Sequence, residues 1–475
     1  MKYLSKINLE NFLLLIWIAI LLSINSIDLD LVNFNKEKFN FSIKYFYIFI
    51  NFIRFILPFV VLPVLILIFI ITKKKINNWL TVAFSFYIIW QIIIFLILGI
   101  KDNLLNNIQL VSSGLAILLI LYLADQNNYK KFYKQVLIIT LIFISIISFY
   151  ITYNILIEKY FLGLKYIYGS NVLEPTKQIF FQPSPRITGI SRLLVLIFFL
   201  FFLITIKINK IFFKIPLYLF LISLTLIIYI MQARGSFIGL IIIYLFYFFF
   251  DKRKFLNKLF FFITIFLLPI LLYEGIYFKK QSDLNKNLEL KETRPNELKE
   301  TRPNRLLPEY NFKSDKIEYF SSSSGRTYIW KVSFNLIKEK KILLGYGPQA
   351  DRLLLGEYAM INNPQSIYIK DDVIIIWDNN SSNGLIYSYL CGGIIGLILL
   401  VIIYIMLIKE IYKTIFKRKF IFNEEILLTF SIITLTFLIL RTVYENGFSV
   451  FGLDFIFILI IHGIIYQKNN LTKNY

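Results

Sequence analysis

The strongest constraint on this chain is a succession of uninterrupted apolar runs, recurring from Asn11 to His462. A helix that crosses a hydrocarbon layer needs about 20 mainly apolar residues, and roughly twelve such runs are present. In lipid the backbone has to satisfy its own hydrogen bonds, and the runs are too long for barrel strands, so they read as helices. They fall at residues 11–27, 46–72, 79–100, 107–124, 135–156, 192–206, 211–232, 235–250, 259–277, 383–408, 426–442 and 448–466. The expected fold class is therefore all-α, a polytopic transmembrane helical bundle with one long outer loop carrying short helices. A hydrophobic fraction of 57% agrees, since it exceeds that of a globular domain with a polar surface.

The formal net charge of +22 would point to nucleic acid in a soluble protein, but its placement matters more than its sum. With a cytoplasmic N-terminus, 22 basic residues lie in or beside the inner segments, in groups such as Lys73 to Lys75, Lys207 to Lys214 and Lys252 to Lys258. The short outer loops with their flanking span ends hold 11, and the long loop 278–382 balances 17 basic against 14 acidic residues. By the positive-inside rule both termini are cytoplasmic and the long loop faces out. A nucleic-acid partner needs one contiguous basic surface, which this distribution denies. Lys2 and Lys6 precede an apolar run as in a secretory signal, yet no small-residue cleavage site follows, so the first span is expected to stay. One cysteine, Cys391, excludes an intrachain disulfide, and with a single histidine neither a zinc site nor another metal is expected.

These boundaries divide the chain into 1–156 with five spans, an outer loop 157–191, spans six to nine over 192–277, the large outer loop 278–382, and 383–475 with three spans and a tail. The large loop contains an octapeptide written twice, Leu290 to Glu297 and Leu298 to Arg305, which reads as duplication in a solvated segment. After it, Ser321 to Ser324 precede a helix expected from Gly325 to about Lys341, with Trp330, Phe334 and Ile337 on one apolar stripe. Such a helix lies in the membrane interface or packs on the span ends, and the sequence leaves both open.

Charges at the outer span ends are costly to bury, so each invites a functional reading. Arg186, Arg192, Arg234, Arg326, Arg352 and Arg441 gather there or in the outer loops. A guanidinium offers a planar fork of donors that matches phosphate oxygens and keeps its charge in low dielectric. The alternative for any one arginine is snorkelling to headgroups or pairing with a carboxylate. Carboxylates are the plausible proton acceptors on this face: Asp378 at the mouth of the tenth span, Asp454 inside an apolar span, and Glu445, which on a continuous helix would pair with Arg441 four residues earlier. His462 lies near the opposite end of the last span and reads as packing. Gly345-Tyr346-Gly347-Pro348 is a tight turn able to bring backbone donors to a ligand, whereas Gly392, Gly393 and Gly396 suit close helix contact. No Walker A sequence is present, so ATP-driven work is unsupported.

Read in order, the motifs resemble those of the O-antigen ligase and polymerase family of bacterial membrane glycosyltransferases. They are Gln232-Ala-Arg234-Gly-Ser236, Ser324-Gly-Arg326-Thr-Tyr-Ile-Trp330, Leu343-Leu-Gly345-Tyr-Gly347, Ser382-Asn383-Gly with Cys391-Gly-Gly393-Ile-Ile-Gly396, and Arg441-Thr-Val-Tyr-Glu445-Asn446 with Asp454. The resemblance runs from Arg186 to Asp454 and implies an inner-membrane enzyme acting at the periplasmic face. Its donor would be an undecaprenyl-diphosphate-linked glycan, with no cofactor and no metal. Arg186, Arg234, Arg326 and Arg441 are the candidate diphosphate-binding residues, and Arg326, Glu445 and Asp378 the candidate catalytic ones. Membrane lipid, a flippase and a chain-length regulator are the candidate partners, and nucleic acid is not. One departure matters: ligases of the family carry a histidine just before the asparagine that opens the span after the long loop, and here that position is Ser382. This favours polymerisation of lipid-linked repeat units over transfer of a finished glycan to a lipid or protein acceptor. A flippase or transporter is the remaining alternative, although no repeated half is visible.

The topology has a direct test. With Cys391 replaced, single cysteines at Ser282 and Asn296 should react with an impermeant thiol reagent in wall-permeabilised cells, and cysteines at Asn77 and Asn127 should stay protected. The reverse labelling would invert the map.

Overall fold

The computed structural model describes residues 4–24, 52, 56–72, 79–98, 104–126, 131–160, 187–231, 234–276, 326–348, 350–351, 354–355, 367–370, 373–376, 381, 383–417, 420, 422, 425–443, 445 and 452–471. Each apolar run carries a helix: α1 (Leu4–Ile24), α2 (Leu62–Thr72, entered through a wider turn at Leu57–Val61), α3 (Trp79–Leu98), α4 (Leu104–Gln126), α5 (Phe132–Tyr160), α6 (Ile187–Lys207), α7 (Ile211–Ile230), α8 (Arg234–Phe250) and α9 (Phe255–Phe262, continued through Ile263–Leu267 to residue 276). The long loop supplies α10 (Arg326–Glu339), and three helices complete the bundle: α11 (Gly384–Tyr412), α12 (Ile426–Arg441) and α13 (Leu453–Leu471). Six helical segments are long and apolar enough to span a bilayer, and five shorter apolar ones accompany them among the described residues. The chain is an all-α, multi-pass membrane protein. The loop also holds a small antiparallel hairpin, Ile367–Lys370 against Val373–Ile376, which the sequence reading did not include.

Helix α6 is the centre of the bundle. Of its span, 72% is buried inside the protein, against 22% for α7 and 17% for the α9 span, which therefore face outward. It packs on α5, α7, α8 and α12. Phe202 lies edge-on to Tyr244, Tyr247 and Phe261 with ring centroids 5.3, 5.5 and 5.1 Å apart, a geometry that sets ring edges against ring faces. About two turns nearer the start of α6, Gly239 of α8 meets α6 and α12, and a Cβ there would fall 2.6 Å from Val195 and 2.9 Å from Phe437. That close approach fixes which residues share the next turn. Several hydroxyls inside the helices are satisfied locally, as where Thr140, Thr205, Thr225 and Thr436 donate to the carbonyl four residues before them.

Helix α11 is broken in its first third. Gly393 has φ +62° and ψ −155°, outside any helical conformation. Eight residues of straight helix rise about 12 Å, yet the Ser388 hydroxyl donates to the Gly396 carbonyl at 2.8 Å. The short helix Gly384–Gly392 thus turns sharply into the long one that follows. Its freed carbonyls do not stay empty: Tyr346 N–H donates to Leu390 O (3.1 Å), Gly347 N–H to Cys391 O (2.8 Å) and Trp90 Nε1–H to Gly392 O (2.7 Å). In return Ile394 N–H donates to Leu343 O at 3.0 Å. The glycines of the tenth span therefore do more than permit helix contact, and the donors of the Gly345-Tyr-Gly347 turn serve the chain itself rather than a ligand. A second apolar core surrounds this clamp, with Leu336 of α10 and Ile342, Leu354 and Leu355 packed on Ile386, Tyr387, Leu390 and Cys391. Helix α10 accordingly packs on the bundle. Its contact face uses Ile329, Trp330, Ser333, Leu336 and Ile337, while Phe334, expected on that face, is 60% exposed.

A Cβ at Gly393 would lie 2.1 Å from Leu343 O, on a backbone that L-residues rarely adopt. Gly393→Ala is expected to destabilise by about 2 kcal/mol or more. Gly189→Ala, in open space on α6, should be near neutral. Thermal unfolding in detergent compares the two, and equal midpoints would contradict the clamp.

Candidate active face

The packing at Gly239 brings the first turn of α6, the first turn of α8 and the last turn of α12 side by side at the loop-bearing end. There Ser236 donates to Ser191 at 2.8 Å, both buried. One residue on, Arg192 reaches Asp454 at 2.9 Å, and Arg441 binds the same carboxylate oxygen, Oδ2. The three side chains are 16%, 8% and 5% exposed, so the cluster is largely withdrawn from water. Two guanidinium groups converge on one carboxylate oxygen, in a setting where opposite charges attract more strongly than in solvent. Among the described residues, Asp454 Oδ1 and Arg192 Nε have no hydrogen-bond partner. Glu445 is half-buried and close enough to Arg192 to act on it electrostatically.

The start of α11 is joined to the same corner. The Asn383 carboxamide oxygen accepts from Leu385 N–H (2.8 Å) and Ile386 N–H (3.1 Å), capping the helix, while its amide donates to Val443 O at 3.0 Å. Gly384 N–H donates to Thr442 O (2.7 Å), and Tyr404 bonds the Thr442 hydroxyl. Buried Asp351 accepts from Ser381 N–H and Oγ at 3.2 and 3.0 Å, tying the end of the long loop to this start. The residues just before α11 are thereby held beside the end of α12.

Several expectations change against this geometry. Helix α12 ends at Arg441 with Thr442 as its cap, so the continuous helix that would pair Arg441 with Glu445 does not exist, and Arg441 pairs with Asp454 instead. Arg441 is thus engaged in an ion pair where the sequence reading offered it to a ligand. Arg234 and Arg326 are the first residues of α8 and α10, with side chains outside the described residues. Arg186, Arg352, Asp378 and Ser382 also lie outside them. His462 is buried toward the opposite end, near Glu410 and stacked at 5.9 Å on Tyr466, away from this corner. Among the described residues no group of three or more His, Cys, Asp or Glu could hold a metal ion. Sequence reasoning missed the roles of Arg192 and Asn383. The signal for the first was present, an arginine and an aspartate each interrupting an apolar span, but not their pairing.

Asp454→Asn would leave two buried guanidinium groups without the carboxylate they share, and removing one partner of such a cluster costs about 3–5 kcal/mol. Adding Arg192→Gln should restore part of that loss by removing one of the two stranded cations. Additive losses in the double variant, read from detergent melting curves, would contradict the coupling.

Among curated proteins and among solved structures, none is significantly similar to this chain. Residues 217–401 match the family model described as O-antigen ligase. The match runs from early in α7, through α8, α9 and α10, into the long part of α11, and so includes Arg234, Arg326 and the clamped break. The apolar helices make the chain a multi-pass membrane protein, and its residues 217–401 are similar to the O-antigen ligase family.

Proposed function

We propose that this chain is a metal-independent membrane glycosyltransferase that polymerises undecaprenyl-diphosphate-linked oligosaccharide repeat units at the periplasmic face of a bacterial inner membrane, with both termini cytoplasmic. The observation that carries the reading is the concentration of guanidinium groups at the loop-bearing end of the bundle. Arg192 and Arg441 share one oxygen of Asp454, beside the first turn of α8, which opens with Arg234. The diphosphate is already a good leaving group, and fixed guanidinium groups stabilise the charge that develops on it as the bond breaks.

In the reaction proposed, a hydroxyl oxygen of the acceptor glycan attacks the anomeric carbon of the donor sugar from the face opposite the diphosphate. The carbon–oxygen bond to the diphosphate breaks as the new glycosidic bond forms, and undecaprenyl diphosphate leaves with the bonding electron pair. The acceptor proton passes to a carboxylate, for which Glu445 and Asp378 are the candidates, and the anomeric configuration inverts. Arg234 and Arg326 would hold the diphosphate with help from Arg186. Arg441, being paired with Asp454, would act through the field of the cluster. Membrane lipid surrounds the reaction, a flippase would supply the donor, and a chain-length regulator would limit the product.

Ser382, where ligases carry histidine, supports chain extension. The family description supports the second reading, ligation of a finished glycan to a lipid or protein acceptor. The purified protein, given a lipid-diphosphate-linked single repeat and no other acceptor, should yield a ladder of longer lipid-linked chains, absent for Arg234→Ala. Arg326→Lys keeps a charge but loses the bidentate fork and should reduce the ladder at least about tenfold with the protein still inserted. A one-step transfer seen only on adding a lipid-core or protein acceptor would establish the ligase reading, and no transfer in either format would refute both.

A further inference from the structure

The end of the bundle remote from the long loop carries a surface that glycan transfer does not use. From Arg192 to Lys207 helix α6 rises about 22 Å, so the residues beyond Lys207 lie at the other membrane face. Two turns meet there, 207–211 between α6 and α7 and 251–254 between α8 and α9. The Arg253 guanidinium binds them together by donating to Ile206 O, and Lys258 Nζ closes the second turn by donating to Phe248 O at 2.9 Å. Ring packing of Tyr218 on Phe261, with centroids 5.4 Å apart, continues the contact into the helices. Residues 207–214 and 251–258 hold seven basic side chains and one acidic one, Asp251, and that carboxylate is engaged by the Arg253 backbone N–H at 2.8 Å. Lys207, Lys210, Lys252 and Lys254 are exposed, and among the described residues none of them pairs with a carboxylate. Beside them Phe212, Phe213, Phe249 and Phe255 are 79%, 54%, 76% and 66% exposed, so four phenyl rings project from the protein next to four free ammonium groups.

We infer that these two turns form a docking surface for an anionic phospholipid. The lysines would hold the headgroup phosphate, and the phenylalanines would lie along the first part of the acyl chains. Charge complementarity selects the occupant: a zwitterionic lipid offers no net charge to unpaired lysines, whereas clustered lysines at a membrane surface attract anionic headgroups, and the apolar phenyl rings suit the acyl chains just below them. A soluble phosphate compound would satisfy the lysines and leave the rings uncovered. This inference stands apart from the proposed glycan transfer, because it concerns the opposite face and none of the residues named for catalysis.

The test is lipid retention by the full-length protein in detergent, measured by native mass spectrometry with phosphatidylglycerol and phosphatidylcholine of matched chains supplied together. The wild type should retain phosphatidylglycerol with a preference of roughly tenfold or more. The preference should fall to near one when Lys207, Lys210, Lys252 and Lys254 are all replaced by Gln, and should survive the same charge change at Lys331, Lys338, Lys340 and Lys341 on the loop-bearing side. Excess soluble glycerol phosphate should not displace the bound lipid. Equal retention of both lipids by the wild type would overturn the inference. So would loss of preference in the loop-side variant, or displacement by glycerol phosphate.

Discussion

Hydrocarbon offers a broken helix no water, so every carbonyl released at Gly393 has to find a donor in the protein. The donors come from Trp90 on α3 and from the Gly345-Tyr-Gly347 segment more than 40 residues earlier in the chain. This exchange is the constraint on which the loop-bearing end depends. It pulls the end of the long loop down beside residues 90–95 of α3, where a Cβ on Gly347 would lie 2.7 Å from Phe95, and it turns Gly384–Gly392 away from the longer helix that continues α11. Helix α10, Asp351 with Ser381, and Asn383 with Val443 then connect one element to the next as far as the last turn of α12. A loop that would otherwise be tethered only at its ends is joined to the bundle at several points. Catalytic groups borne on such a loop gain from that support, because transfer chemistry tolerates little misplacement of its reacting atoms.

At the far end of that chain of contacts sit two arginines on one aspartate. Both guanidinium groups bind Asp454 Oδ2. Fixed guanidinium donors held largely out of water suit phosphate oxygens, which is the physical ground for proposing this corner as the place where a diphosphate rests. Glu445 lies in the same field, so a carboxylate that receives the acceptor proton and the guanidinium groups that receive the leaving charge would be close neighbours. The opposite face shows the contrasting arrangement. Its lysines are exposed and flanked by phenyl rings, as befits contact with lipid headgroups rather than chemistry.

Much of this architecture was legible because the bilayer imposes one period and one length on every span. Every apolar run carries a helix among the described residues, although the one in the 46–72 run is described only from about Leu57 and the first begins seven residues early. Legibility failed where a partner distant in sequence decided the outcome. Gly393 looks like a small residue at a helix contact until Leu343 is placed against it. Arg441 and Glu445 share a helical spacing, but the helix stops at Thr442 and Asp454 of the next span takes the arginine. Phe334 belongs to an apolar stripe by count, yet the neighbour that buries α10 meets it one residue to the side, at Ser333 and Leu336. Local pattern reports what a residue prefers, whereas the site is an outcome of which elements meet.

The account turns on where the donor's diphosphate lies. A polyprenyl-diphosphate-linked sugar carrying a photoreactive group on its first prenyl unit can be incorporated with the protein into a bilayer and irradiated, and the modified peptides mapped by mass spectrometry. Crosslinks within residues 187–194, 234–240, 326–333 and 441–454 are the predicted result. Crosslinks concentrated at 207–214 and 251–258 would place the donor at the other membrane face and contradict the account.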